Sequence, residues 1–168
     1  IRPWFSTPGR AGDRTIKDQL KGLDALFAEV PGKTVLDAGC AEGLIAIELA
    51  KAGALAVHGV EFIRERVDFG MRAKGDLPVM LEAGDLNTWR PKRQYDIVIG
   101  LAILHKLKDP TAAAVALANA ATSLVVWRLP PKDAPLVIDA RSGNVPHHIG
   151  DAMSACGFEL ESESYGGH

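Results

Sequence analysis

From Thr34 onward the chain alternates short apolar runs with segments of helical period, and this alternation restricts its fold more than any other feature. The runs cover Thr34 to Leu36, Leu55 to Val60, Pro78 to Glu82, Tyr95 to Gly100 and Leu124 to Leu129, with a last one over Phe158 to Ser164. Between them the spacing predicts helices over 44–52, 64–72 and the alanine-rich 112–121, and a short helix over 149–155 closed by Gly157. Ahead of the first run, Ile16, Leu20, Leu23, Leu26 and Phe27 recur at helical spacing up to Pro31-Gly32. Strands buried on both faces carry apolar runs rather than strict alternation, and helices between them build right-handed crossovers. The expectation is an α/β fold: a doubly wound, mostly parallel sheet of six strands with helices on both faces.

At 168 residues the chain fits one domain with a substantial core. Residues 1–14, rich in Pro, Gly, Arg and aromatics, read as an arm, and 15–168 as the domain. The chain begins at Ile1 rather than Met, so a segment is expected upstream. A formal charge of −2 does not commit it to a polyanionic partner, which a dedicated nucleic-acid binder would more often announce by a basic balance. No apolar stretch is long enough to span a membrane, and the start does not resemble a secretory leader. With Cys40 and Cys156 far apart, no disulfide framework is expected, and a reducing cytoplasm follows.

The first strand runs into Asp37-Ala38-Gly39-Cys40-Ala41-Glu42-Gly43 and then a helix, a general arrangement for binding nucleotides. A dinucleotide loop needs G-x-G-x-x-G to cradle a pyrophosphate, and here Ala41 stands between Gly39 and Gly43. Asp37 would repel a pyrophosphate but attract a ligand ammonium; the plain alternative is a capping Asp in an ordinary strand-to-helix turn. Glu61, closing the second strand, can accept from two ribose hydroxyls, or merely favour the helix dipole after it. In Gly84-Asp85-Leu86, after the third strand, the carboxylate can accept from an adenine amine or fold into an Asx turn. Three carboxylates after three successive strands lie at the carboxyl edge, where open α/β sheets bind ligands.

VLDAGCAEG, HGVE, EAGDL and YDIVIGLAILHKLKDP resemble the four motifs of the class I S-adenosylmethionine-dependent methyltransferases, over roughly Lys33 to Leu129 and more loosely through GFELESES. The resemblance implies a Rossmann-like sheet and S-adenosyl-L-methionine as cofactor. It implies a cofactor site drawn from Asp37, Gly39, Cys40, Ala41, Gly43, Glu61, Phe62, Gly84, Asp85, Leu86 and Leu101. The family's seventh strand is not evident before His168. Ala41 stands where the family usually has Gly, and its methyl is expected to reject a left-handed backbone. Thr7-Pro8-Gly9 and the fourth motif are loosely similar to the group of wobble-uridine tRNA methyltransferases.

Methyl transfer needs donor and acceptor aligned, and a base only where the acceptor must lose a proton. His105 is the candidate base or orienting donor, with packing over the cofactor as the alternative. No Asn/Asp-Pro-Pro-Tyr follows the fourth strand, which argues against amino methyltransferases of that type. Trp4, Phe5 and Arg10 on the arm and the proline-rich stretch 128–141 are expected near the acceptor, a small molecule or an RNA nucleoside. Arg90, Lys92 and Arg93 read as a solvated basic loop. His147 and His148, adjacent on a helix, point apart, so no metal site is expected. Cys40 reads as buried packing. An idle cofactor-binding subunit that activates a partner methyltransferase is the alternative, and a homo-oligomer is compatible with either. A nicotinamide oxidoreductase is disfavoured by Asp37 and the broken glycine pattern.

Overall fold

The computed structural model describes residues 15–129 and 145–161. Its sheet has five parallel strands in the order β3-β2-β1-β4-β5. They are β1 (Thr34–Ala38), β2 (Ala56–Glu61), β3 (Val79–Ala83), β4 (Tyr95–Leu101) and β5 (Ala121–Arg128). Helices α1 (Ile16–Leu20) and α2 (Asp24–Glu29) precede the sheet, and α3 (Leu44–Lys51), α4 (Arg64–Ala73), α5 (Pro110–Ala118) and α6 (Val145–Ala155) follow in turn. The doubly wound expectation is therefore met. Val35, Val57, Leu81, Ile97 and Ile99 pack with α3 on one face, while Leu36, Val60, Val98 and the α5 and α6 residues Ala114, Leu117 and Ile149 fill the other. Two apolar faces on one sheet explain why the central strands show continuous rather than alternating hydrophobicity.

The strand order reverses beside β1, since β2 and β3 extend to one side and β4 and β5 to the other. Such a switch point opens a crevice at the carboxyl ends of the two central strands. At their opposite ends the register is pinned. Thr34 donates from its backbone N (2.7 Å) and its Oγ1 (2.8 Å) to Asp96 Oδ2, and the Asp96 N–H donates back to Thr34 Oγ1 (3.0 Å). These bonds hold the Asp96 carboxyl below its ordinary range.

The structure revises several boundaries. The expected helix before the first strand is two short ones, broken where Gly22 turns left-handed at φ +74°. β5 starts at Ala121 rather than Leu124, because Thr122 Oγ1 and Ser123 Oγ donate to the Tyr95 and Asp96 carbonyls across an irregularity in the ladder. α6 begins four residues before the expected Ile149. The sixth strand is not found where it can be checked. Phe158 to Glu161 is irregular, and the rest of that run lies outside the described residues. Among the described residues, no helix is long and apolar enough to cross a membrane.

Candidate functional site

The loop after β1 is built on left-handed backbone. Gly39 (φ +82°), Ala41 (φ +50°) and Gly43 (φ +75°) all take positive φ, and Gly43 caps α3 in that state. The expectation that Ala41 rejects such a conformation is thus overturned. A single alanine there costs on the order of 1 kcal/mol. Tertiary contacts offset it: the Ala41 N–H donates to Glu61 Oε2 (3.2 Å), and Ala41 is buried with Leu44 under Ile16. The loop also folds onto the end of β2, where the Gly39 and Cys40 N–H groups share the Val60 carbonyl at 2.8 and 3.1 Å. A side chain at Gly39 would meet Ile103, whose Cγ1 and Cβ lie 2.7 and 2.9 Å from an added Cβ. Ile103 is brought there by Ala102, itself left-handed at φ +60°.

Asp37, second from the end of β1, is 2% exposed, and its Oδ2 is buried without a hydrogen-bond partner among the described residues. Burial, and secondarily the Glu61 carboxylate, push its pKa up to about 7. An isolated buried carboxylate is costly unless a donor or cation reaches it, so this atom has the chemistry of a ligand contact. Glu61, also buried, is held between the Ala41 N–H on Oε2 and the Ile63 N–H (2.9 Å) on Oε1. Sequence reasoning missed two residues around it. Glu42, 3% exposed, and Glu61 both face Arg66 of α4, with Arg66 Nε 3.5 Å from Glu42 Oε1 and Nη1 3.7 Å from Glu61 Oε1. α4 comes this close because Gly70 carries no side chain; a Cβ there would sit 2.5 Å from the Glu42 carbonyl oxygen. No local pattern announces a contact between the first turn of one helix and the turn before another.

Cys40 lies beneath the loop, packed so that a Cβ on Gly59 would come 2.7 Å from its Sγ. Its burial, with Asp37 and Glu61 nearby, raises the thiol pKa well above the ordinary value, which makes it a packing group rather than a nucleophile. Phe62, just past Glu61, is 71% exposed. Leu101 closes β4 and is partly buried against the core on the α3 side.

The third strand leads to Gly84, whose N–H donates to the Glu61 carbonyl (2.9 Å), so the two loop starts are tied. Asp85 Oδ1 accepts from the Asn87 N–H (2.9 Å) and Nδ2 (2.7 Å), the Asx turn that was one of its two sequence readings. Leu86 is buried beside it. The loop is braced from below: Trp89 Nε1 donates to Glu82, whose carboxylate also faces His58 Nε2 at 3.4 Å, while His58 Nδ1 bonds the buried Tyr95 hydroxyl. Burial outweighs Glu82 and lowers the His58 pKa.

His105 sits on a single 3-10 turn, Leu104–Lys106, and is 6% exposed, packed at α5 rather than displayed on a loop. Lys92 and Arg93 are exposed and Arg90 Nη1 folds back onto the Leu86, Asn87 and Trp89 carbonyls, as a solvated loop should. His148 is exposed on α6. Trp4, Phe5, Arg10, Thr7-Pro8-Gly9 and positions 130–141 lie outside the described residues.

The methyltransferase domain family matches residues 35–125, more than half of the chain. No curated protein matches it. Among solved structures, an S-adenosylmethionine-dependent methyltransferase from Mesorhizobium loti aligns with TM-score 0.55 and 24% identity over 60% of this chain and 47% of that one. A methyltransferase in complex with the Haloferax volcanii Trm112 activator aligns with TM-score 0.54 and 19% identity over 63% and 49%. The [4+2]-cyclase SpnF shares the fold at TM-score 0.64 and 17% identity, over 88% and 61%. The chain therefore spans about half to three fifths of the length of these proteins, and at such identities they share its fold. With the matched domain running from β1 through the glycine loop into β5, the chain belongs to the methyltransferase domain family on the class I, S-adenosylmethionine-dependent fold.

Proposed function

We propose that this chain binds S-adenosyl-L-methionine at the carboxyl edge of β1, β2 and β3 and transfers its methyl group to a small molecule or an RNA nucleoside. The observation that carries the reading is Asp37 Oδ2, a buried acceptor without a donor among the described residues, at the mouth of the glycine loop. The cofactor's sulfonium carbon supplies an already activated methyl group. The chain's own residues bind, orient and exclude water.

In this proposal Asp37 accepts from the ammonium, and Gly39, Cys40, Ala41 and Gly43 shape the backbone around the amino-acid tail. Glu61, kept in place by the Ala41 and Ile63 N–H groups, accepts from the ribose hydroxyls. Asp85, placed just after β3, takes the adenine amine, and Phe62 and Leu86 cover the two faces of the base. Gly84 and Leu101 line the remaining walls. We assign 15–168 to the binding domain and 1–14 to an N-terminal arm. His105 orients the acceptor; its burial makes packing against the cofactor the competing role. The exposed free thiol of Cys156 supports a reducing, cytoplasmic location.

The test is binding. S-adenosylhomocysteine should bind in the micromolar range by calorimetry, and Asp37→Ala or Glu61→Ala should weaken it at least tenfold, about 1.4 kcal/mol. Unchanged affinity in both variants would remove the assigned roles. A cofactor-binding, catalytically idle subunit that activates or positions a partner methyltransferase is the second reading; a [4+2]-cyclase has the same fold, and a fold does not by itself fix an activity. A labelled methyl group that reaches an acceptor only when a partner's site is intact would favour it.

A further inference from the structure

Gln19 is a residue that neither the sequence motifs nor the carboxylate set assigns. It lies on α1, 7% exposed, and its Nε2 is buried with no hydrogen-bond partner among the described residues. A buried amide donor without an acceptor is costly, so such a group calls for an acceptor beyond the described residues. Its surroundings say where. Ile16, three residues earlier on the same helix face, packs on Ala41 and Leu44, the end of the glycine loop and the first residue of α3. On its other side, Arg128 at the carboxyl end of β5 donates Nη1 to the Gln19 carbonyl (3.0 Å) and Nη2 to the Lys21 carbonyl (2.7 Å). α1 is thereby clamped across the carboxyl edge of the sheet, over the loop that follows Asp37.

Of the buried polar atoms that have no hydrogen-bond partner among the described residues, Asp37 Oδ2 and Gln19 Nε2 thus belong to the same edge with opposite polarity: the first accepts and the second donates. The chemical group that satisfies both is an α-amino acid, with its ammonium on the carboxylate and its carboxylate on the amide. We infer that Gln19 donates to the carboxylate of the cofactor's amino-acid tail and so sets specificity for the intact tail. This rests on the proposed cofactor and deepens it.

The experiment uses two probes on the whole protein. S-adenosylhomocysteine carries both charges, while S-adenosyl-3-thiopropylamine keeps the ammonium and lacks only the carboxylate. Gln19→Leu should weaken S-adenosylhomocysteine about 10- to 100-fold, the range for losing a hydrogen bond to a charged group, and leave the amine's affinity within about twofold. Gln19→Glu should go further and invert the preference in favour of the amine. Thermal melting of both variants without ligand checks the fold, and Gln19→Leu should melt no lower than the parent because it removes an unsatisfied donor. Equal loss for both probes, or no loss for either, overturns the inference. Failure of the parent protein to bind either probe would instead overturn the cofactor reading.

Discussion

Replacing Asp37 with Asn separates what this side chain does for binding from what it does to the fold. The carboxyl is 2% exposed, and burial with Glu61 nearby takes its pKa from 3.8 to about 7. Its folded value lies above its unfolded value, so between these limits the folded chain holds more protons than the unfolded one. Stability must then fall as pH rises from about 4 to 7 and level off above, the reverse of a salt-bridged carboxylate. At about 1.4 kcal/mol per unit, a separation of some three units sets a ceiling of about 4 kcal/mol for this one group. Asn keeps the shape and cannot ionise. Urea unfolding of the two proteins from pH 4.5 to 8.5 should therefore show the variant gaining on the parent by up to about 1.4 kcal/mol per unit, until the difference flattens near pH 7. The same ionisation should make S-adenosylhomocysteine bind more tightly to the parent as pH rises through 7, a dependence absent from Asp37→Asn, which should bind weakly throughout. Parallel stability curves, or a variant less stable than the parent by the same amount at every pH, would refute the placement of a strained carboxylate in this site.

Gly39→Ala should destabilise by about 3 kcal/mol, combining left-handed strain with the Ile103 contact, read as a shift in denaturant midpoint at constant slope. Arg66→Met leaves Glu42 and Glu61 buried without their shared cation. Since Arg66 is itself 20% exposed, a loss of roughly 2 kcal/mol in unfolding free energy is expected, with Arg66→Lys recovering part of it. His105→Gln should lower turnover on the true acceptor by about 100-fold if the imidazole accepts a proton, and leave cofactor affinity unchanged; full turnover assigns it to packing.

What could be read along the chain was whatever depends on neighbours in sequence. The apolar runs of β1, β2, β3 and β4 and the glycine turn into α3 are local, and their periods and turn residues survive folding unchanged. The positions of Asp37, Glu61 and Asp85 were legible for the same reason: each lies at or just past the carboxyl end of a strand, and a parallel sheet with right-handed crossovers brings such positions to one edge. Register shifts and helix ends were less legible. β5 gained its first residues from Thr122 and Ser123 bonding to β4, a pairing that no propensity in 121–123 announces.

Contacts between distant segments were decided only by the tertiary structure. Ala41 is left-handed against its own preference because Glu61, twenty residues on, takes its N–H. Arg66 reaches two carboxylates because Gly70 lets α4 settle onto the loop. Gln19 is buried above that loop because Arg128, 109 residues away, holds its carbonyl. The sequence alone determined the parallel α/β architecture and the placement of the three carboxylates at strand ends, since both follow from local period and the topology of crossovers; the strand order that sets the switch point came from the tertiary structure. Which side chains surround those carboxylates, and which polar atoms remain for a ligand, followed only from packing, where contact energies between remote residues outweigh local preference.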